Sequence, residues 1–555
     1  MEFRRLTDDL SVSPQIAAND VAAIRAAGYR AIICNRPDGE GPDQPTFAEI
    51  EAAARAQGIV ACYLPVESGK VSDHDAMQFG ELMRKLEKPV LAYCRTGMRA
   101  ATLWGLCEAS SKPLPDILGA AKAAGYDLGA LAHRVANSGK LPVRVATASH
   151  DIVIVGAGAA GIAVASSLLA RDARLDIAVI DPADTHYYQP GWTMVGGGIF
   201  TPETTARAMA AVLPQKVHWI KAGVAAFEPD NHAVILEGCR AIHYRKLIVC
   251  PGLKLDWGAI AGLPETLGRN GVTSNYRYDL APYTWQLVRE MKRGRAIFTQ
   301  PPMPIKCAGA PQKAMYLSSD YWERSGRLQD IQVQMFNAGA VLFGVADYVP
   351  ALMEYVERYD IGLNFGYNLT AIDGPGKVAT FRRVLPDGTV ESVAHDFEMI
   401  HVVPPQTAPD FIRASPLADQ AGWVDVDQNT LRHKKFDDIF ALGDVINAPN
   451  AKTAAAARKQ APVVAHNVLA SLGVARGQAA YDGYGSCPLT VARGKIVLAE
   501  FLYGGKVAPS FPAWLINGKR PSRLAWLLKE RVLPPLYWRA MLKGREWLAK
   551  PEIVG

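Results

Sequence analysis

DIVIVGAGAAGIAVASSLLA, residues 151–170, decides how this chain folds. DIVIV is an apolar run of strand length, and IAVASSLLA reads as a buried helix. Between them Gly156, Gly158 and Gly161 stand at GxGxxG spacing. The first permits a tight turn and the second lets backbone approach a pyrophosphate. The third lets helix and strand pack closely, with phosphate charge at the helix N-terminus. The next apolar run, LDIAVID, ends in Asp181, placed to bond a ribose hydroxyl. The spacing predicts a dinucleotide-binding βαβ unit, and so an α/β protein with a parallel sheet.

Downstream, YRKLIVCPG (244–252) is a strand ending in Gly252, and DIFALGDV (438–445) is a strand ending in Gly443 and Asp444. AKTAAAARKQAPVVAHNV follows as a helix. In flavoproteins with two dinucleotide domains, an Asp at this place holds the FAD ribityl chain. The next helix points its N-terminus at the flavin oxygen where reduced flavin gathers negative charge. The order of these motifs predicts FAD. The insertion between them, 271–390, stands where the NAD domain belongs. It holds the strands AIFTQ and DIQVQMFNAG but no GxGxxG, so NADH is not the expected donor. Where the second glycine loop belongs, the chain has KCAGAPQK, residues 306–313, with Cys307 beside Lys306. That lysine is placed in sequence to favour a thiolate.

Upstream, residues 1–135 alternate helices and strands, predicting a small α/β layer domain. PVLAYCRTGMRAATLWGL gives strand, loop and helix around CRTGMR, residues 94–99. Backbone N–H groups of such a loop cradle an anion and activate Cys94, with Arg95 and Arg99 adding charge. Asp73 and Asp75 are candidate acids. The loop is one residue shorter than the phosphatase form, because Ala100 stands where that form has arginine.

The chain has 555 residues, 21% charged and 49% apolar, with a net charge of +6. Its polar start, MEFRRLTDD, is no secretory signal, and no apolar run reaches spanning length. Eight cysteines without a CxxC pair predict neither a disulfide framework nor a metal site. Residues 519–550 carry nine basic residues against two glutamates, more than the surplus of the whole chain. Trp526, Leu527, Leu533, Leu536, Tyr537, Trp538, Met541, Leu542, Trp547 and Leu548 interleave with them. Pro534 and Pro535 divide this tail into two amphipathic helices suited to an anionic membrane interface. No folded nucleic-acid module accompanies the charge.

HYYQPGWTMVGGG (186–198), PIKCAGAPQKAMYL, the Gly-Asp…AKTAAA stretch and YDGYGSCPL (481–489) resemble the sulfide:quinone oxidoreductases, closest to the mitochondrial type. The resemblance runs from about 150 to 548. It implies that Cys307 and Cys487 form the redox pair on the flavin's substrate face. Gln189, Val224 and Lys452 contact the flavin by the same resemblance. A third, flavin-tethering cysteine of some bacterial branches has no counterpart near Tyr276, so the FAD is expected to be non-covalent. Hydrogen sulfide as substrate and a membrane quinone as acceptor follow. The front domain resembles the beta-lactamase-hydrolase-like, phosphatase-folded sulfurtransferases, and its loop resembles that of the rhodaneses. Cys94 and Arg99 then carry a persulfide toward glutathione or another small thiol.

The expected architecture is a phosphatase-like α/β domain (1–135), a linker (136–149), tandem Rossmann-like domains and a membrane-interface tail (506–555). The FAD domain is split (150–270 and 391–505) around a second, substrate-side domain (271–390). The expected place is peripheral, on the cytoplasmic side of the inner membrane, with the oligomeric state left open. A type II NADH:quinone dehydrogenase and a redox-sensing membrane adaptor are the competing readings.

Overall fold

The computed structural model describes residues 3–41, 44–68, 71–140, 147–237, 240–385 and 387–554. The chain divides into two compact units. One comprises residues 1–150, 222–245 and 410–422; the other comprises 151–221, 246–409 and 423–555. Residues 141–146 of the expected linker, and Cys239, lie outside the described residues.

The first unit is built on a five-stranded sheet. Its spatial order is Arg4–Arg5, Leu10–Ser13, Val90–Tyr93, Ala31–Cys34, Val60–Tyr63. Every neighbouring pair after the first is parallel. The three inner strands, LSVS, VLAY and AIIC, are buried throughout, as strands covered on both faces are, whereas the edge strands Arg4–Arg5 and Val60–Tyr63 are partly exposed. Ile32, Leu91 and Tyr93 pack with Ile24 and Ile50 on one side, and Ile33 and Ala92 with Leu103, Trp104 and Ile117 on the other. Ala225, Ala226, Ala233, Ile235 and Ala241 join this second cluster. The segment 222–245 therefore groups with the front domain, where the sequence division places it in 150–270.

The second unit carries the parallel run His218–Ile220, Ile177–Ile180 and the end of Thr147–Val155, with the end of Ala241–Val249 pairing Ile439–Ala441. Helix Ala159–Arg171 follows the glycine loop, with Gly158 as its N-cap. Gly156 has φ 101°, and a Cβ on Gly161 would lie 1.8 Å from the Gly156 carbonyl oxygen, so both positions demand glycine. A second parallel sheet orders Val272–Thr273, Met399–His401, Gly294–Gln300, Ile331–Asn337 and Gly362–Phe365. An antiparallel meander, Tyr367–Asp373, Val378–Val384 and Val390–Asp396, adds to it in sequence. The hairpin Gly485–Ala492/Lys495–Phe501 completes one core of the unit with Leu489, Val491 and Val497.

The tail differs from two amphipathic helices. It is one unbroken helical run, α-helical over Arg523–Leu527, π-helical over Leu528–Val532 and α-helical again over Leu533–Arg539. Pro534 and Pro535 lie in the first turn of the last piece, directly after the π-helical segment, and do not break the run into two helices. Trp526, Tyr537, Trp538, Met541 and Leu542 are buried in the unit's own core and face no membrane. Leu524, Leu527, Val532, Trp547 and Leu548 stay exposed. Among the described residues, no helix is long and apolar enough to cross a membrane.

Candidate active site

The strand Gly294–Gln300 feeds a loop that reaches Cys307 and then helix Ala310–Arg324. Cys307 has φ 49°, a left-handed backbone that a residue with a Cβ rarely adopts. Its N–H donates to the Lys452 carbonyl (2.9 Å), and its carbonyl accepts from Ala310 N–H (2.7 Å). The Tyr276 hydroxyl bonds the carbonyls of Lys306 (3.0 Å) and Cys307 (3.3 Å). Cys487 comes from the hairpin, opposite Ala499. Its Sγ lies 3.8 Å from Cys307 Sγ. A Cβ on Gly309 would meet that Sγ at 2.5 Å, so the glycine makes room for the second sulfur.

Two lysines serve this pair, and neither is Lys306. Lys313 Nζ donates to Cys307 Sγ at 3.1 Å. Buried Lys529, from the tail, donates to the Pro488 carbonyl at 3.4 Å. The hydrogen bond from Cys487 holds the Cys307 thiol well below the ordinary range; burial opposes this and Lys313 reinforces it. The same bond, with burial and repulsion from Cys307, pushes Cys487 well up. Burial works against the charge of Lys313, but the sulfurs outweigh it and hold its pKa high. Lys529 is pulled down to about 7, by burial first and then by Lys313. The pair is thus arranged as a Cys307 thiolate, a Cys487 thiol and a lysine able to titrate near neutrality.

Lys306 instead donates through Nζ to Gln189 Oε1 (2.7 Å), and through its backbone N–H to Gln406 Oε1 (2.7 Å). Burial lowers its pKa. The expected thiolate-stabilising role passes to Lys313, six residues on.

Around the glycine loop, Asp181 accepts from the N–H groups of Ala157 (2.6 Å) and Ala183 (2.8 Å), leaving lone pairs for a hydroxyl. His186 bonds the Ala157 carbonyl (3.1 Å) and the Tyr537 hydroxyl (2.6 Å), tying the tail to this motif. Gly252 (φ 79°) and Gly158 have open space where a Cβ would be. Gln406 Nε2, beside Lys306, is buried without a partner. Asp444, pushed up by burial, follows Gly443, whose N–H donates to Gln460 Oε1 (2.8 Å). Lys452 Nζ donates to the carbonyls of Asp444 (2.7 Å) and Ile446 (2.8 Å). An open glycine cradle at a helix N-terminus, with an orphaned amide donor beside Cys307, fits a dinucleotide cofactor. Val224 begins the buried strand Val224–Glu228 of the first unit.

In the first unit, Cys94 follows strand Val90–Tyr93 and is buried. The Gly97 N–H donates to its Sγ at 3.2 Å, and Gly97 (φ 88°) caps helix Met98–Glu108. Arg99 donates to the Val66 carbonyl (2.7 Å) and to Glu40 Oε2 (2.7 Å). Arg36 also donates to that oxygen (2.8 Å) and to Gln15 Oε1 (3.0 Å). The Arg99 bond chiefly holds the Glu40 carboxyl below its ordinary range. Arg95 is exposed. Asp73 pairs with Arg134 (2.7 Å), and Asp75 closes a capping box with Ser72, so both candidate acids have structural duties. Glu40 and Arg36 escape sequence reading because they reach the loop through the fold, not through the motif.

The family model of the Beta-lactamase hydrolase-like protein, phosphatase-like domain, matches residues 2–111. A Beta-lactamase hydrolase-like protein of Agrobacterium fabrum is 35% identical over 130 residues, 23% of this chain and 30% of that protein. The mitochondrial Sulfide:quinone oxidoreductase of Dictyostelium discoideum is 40% identical over 432 residues, 75% of this chain and 93% of that protein. The solved sulfide:quinone oxidoreductase from Aquifex aeolicus shares the fold at TM-score 0.59 and 17% identity. It covers 72% of this chain and 92% of that one.

Proposed function

The chain belongs to the sulfide:quinone oxidoreductase family, and on that premise we propose that it oxidises sulfide at Cys307 and Cys487 with a quinone as electron acceptor. The observation that carries this reading is the sulfur pair, 3.8 Å apart, with Lys313 on one member. Hydrosulfide attacks the oxidised, disulfide form of the pair. The thiol with the lower pKa is the better leaving group, so attack falls on Cys487 and Cys307 departs as thiolate. One S–S bond breaks and another forms: Cys487 becomes a persulfide, and Lys313 holds the charge on Cys307. A small thiol such as glutathione then takes the outer sulfur from Cys487. Lys529 collects or returns a proton, being able to exist neutral near pH 7. The net change is hydrogen sulfide plus thiol plus quinone to persulfide plus quinol.

Non-covalent FAD fits the loop at Gly156, Gly158 and Gly161, with Asp181, Gly252, Gly443, Asp444, Lys452 and Gln189 as its further contacts; Val224 is kept on the family resemblance. When bound, it supplies the two-electron acceptor between the cysteines and the quinone. Exposed Leu524, Leu527, Val532, Trp547 and Leu548, beside Arg520, Arg523 and Arg531, give a surface for an anionic bilayer on the cytoplasmic side of the inner membrane. Cys94, with Arg99, accepts sulfane sulfur and passes it on. Neither Asp73 nor Asp75 is placed as an acid, which suits a leaving thiolate better than a leaving alkoxide. Quinone reduction driven by sulfide but not by NADH is the expected result; reduction by NADH alone overturns the reading.

A further inference from the structure

The guanidiniums of Arg36 and Arg99, both buried, meet on a single carboxylate oxygen, Oε2 of Glu40. Arg99 belongs to the Cys94 loop itself. Arg36 is tied to the loop through Gln15, whose side chain accepts from Arg36 and whose N–H donates to the Arg95 carbonyl at 3.4 Å. The two buried arginines supply +2 and Glu40 takes back one, leaving +1 in the buried clamp, with exposed Arg95 outside it. An oxyanion approaching Arg99 meets Glu40 as a competitor already in place. Coulomb energy scales with the product of charges, so a dianion feels that carboxylate twice as strongly as a monoanion.

We propose that Glu40 sets the charge selectivity of the Cys94 loop, admitting monoanionic persulfides and turning away dianions such as phosphate monoesters and thiosulfate. The proposal deepens the sulfur-transfer reading and rests on it for the identity of the donor. The step is balanced within the two reactants. The Cys94 thiol attacks the outer sulfur of R–S–S−, the R–S–S bond breaks, and the thiol proton leaves with the departing sulfur. The products are Cys94–S–S− and RSH, and no oxidant is needed. The +1 clamp matches a charge that stays at −1 throughout.

The test uses the full chain and reads alkylation of Cys94 by iodoacetamide, peptide by peptide, in the presence of sulfate or methanesulfonate. The two probes share a tetrahedral sulfur with three oxygens in common and differ by one charge. In the unmodified protein, methanesulfonate is expected to protect Cys94 at lower concentration than sulfate. In Glu40→Gln the half-protecting sulfate concentration should fall roughly tenfold and that of methanesulfonate only about threefold, reversing the order. Glu40→Asp keeps the charge and should restore the original order, which a loop merely loosened by substitution would not do. Sulfate protection unchanged in Glu40→Gln, or no protection by either anion, overturns the proposal. Intact anion selectivity in a protein that takes no sulfur from a small persulfide overturns the sulfur-transfer reading instead.

Discussion

Cys307 holds a left-handed backbone conformation that costs about 1–3 kcal/mol for a residue with a side chain. The hydrogen bonds to Lys452, Ala310 and Tyr276 fix it there. Replacing Cys307 or Cys487 with Ser should leave FAD bound, because the glycine-loop contacts are elsewhere. Sulfide-driven quinone reduction should fall at least about a thousandfold; retained turnover in either variant sinks the pair mechanism. Lys313→Met should move the alkylation midpoint of Cys307 to higher pH, since it removes a charge that favours the thiolate. Lys529 gives a pH prediction with a definite sign. Its folded pKa is about 7, whereas an unfolded lysine titrates near ~10.4, so the unfolded chain binds more protons between those values. Stability therefore rises with pH across that window. Lys529→Met removes the cost of burying the charge, so its melting temperature should exceed that of the parent most near pH 6.5, with the gain shrinking toward pH 10. The pair itself is readable in sequence through the motifs around it, PIKCAGAPQK and YGSCPL, although the Gly-Ser-Cys-Pro stretch that reads as a turn is strand in the fold, with Cys487 paired to Ala499. Lys313 is not, although it stands in the same eight-residue stretch. Its role depends on a helix beginning at Ala310, whose side chains tilt back toward the N-terminus and so toward Cys307. Lys529 lies in a segment whose composition describes surface charge, and only the fold buries it.

At the scale of elements, the helix after Cys307 and the hairpin bearing Cys487 meet across Gly309. That glycine has no positive φ, so substitution there is purely a matter of space. Gly309→Val should push the hairpin away, cut sulfide oxidation at least about tenfold and prevent oxidation to the disulfide, counted by thiol titration. Unchanged disulfide formation would falsify the contact's importance. The dinucleotide strand, turn and helix are plain in the sequence because glycine spacing and a buried apolar run say one thing. The tail is less plain, because tryptophans among arginines describe a membrane surface and a core equally well. The fold divides them. Trp538 and Tyr537 pack on Tyr188 and His186, Ser166 donates to the Leu542 carbonyl at 2.9 Å, and Arg171 pairs with Glu546 at 2.9 Å. Trp538→Ala should thus cost about 3–5 kcal/mol of stability and weaken FAD retention. Leu524→Glu with Leu527→Glu should leave FAD bound and stability nearly unchanged, while reducing binding to anionic vesicles. A double variant that still binds vesicles as the parent does places the membrane surface elsewhere.

On the scale of the whole molecule, two units carry two sulfur-reactive cysteine sites with unlike protection. The pair in the second unit has its own thiolate stabiliser and proton-titrating lysine, with the glycine cradle in the same unit. The Cys94 loop has a sulfur-facing N–H and an arginine clamp, and the thiol of Cys34 on the neighbouring strand lies near enough to feel the charge of Cys94. On the proposed reading it moves sulfur already oxidised and leaves the oxidation of sulfide to the second unit. That division predicts an asymmetric result. Cys94→Ser should reduce quinone at the parent rate when a small thiol is supplied as acceptor, and should fail to load sulfur in the first unit. Cys307→Ser should fail at both when sulfide is the only sulfur source, yet should still load Cys94 from an added persulfide. The measurement is quinone absorbance together with mass spectrometry of the Cys94 peptide, which gains about 32 Da per sulfur atom. If Cys307→Ser loads Cys94 from sulfide alone, the first unit has an oxidant of its own and the order of the two chemistries is wrong. If Cys94→Ser slows quinone reduction with the thiol present, the units share a step rather than dividing the work.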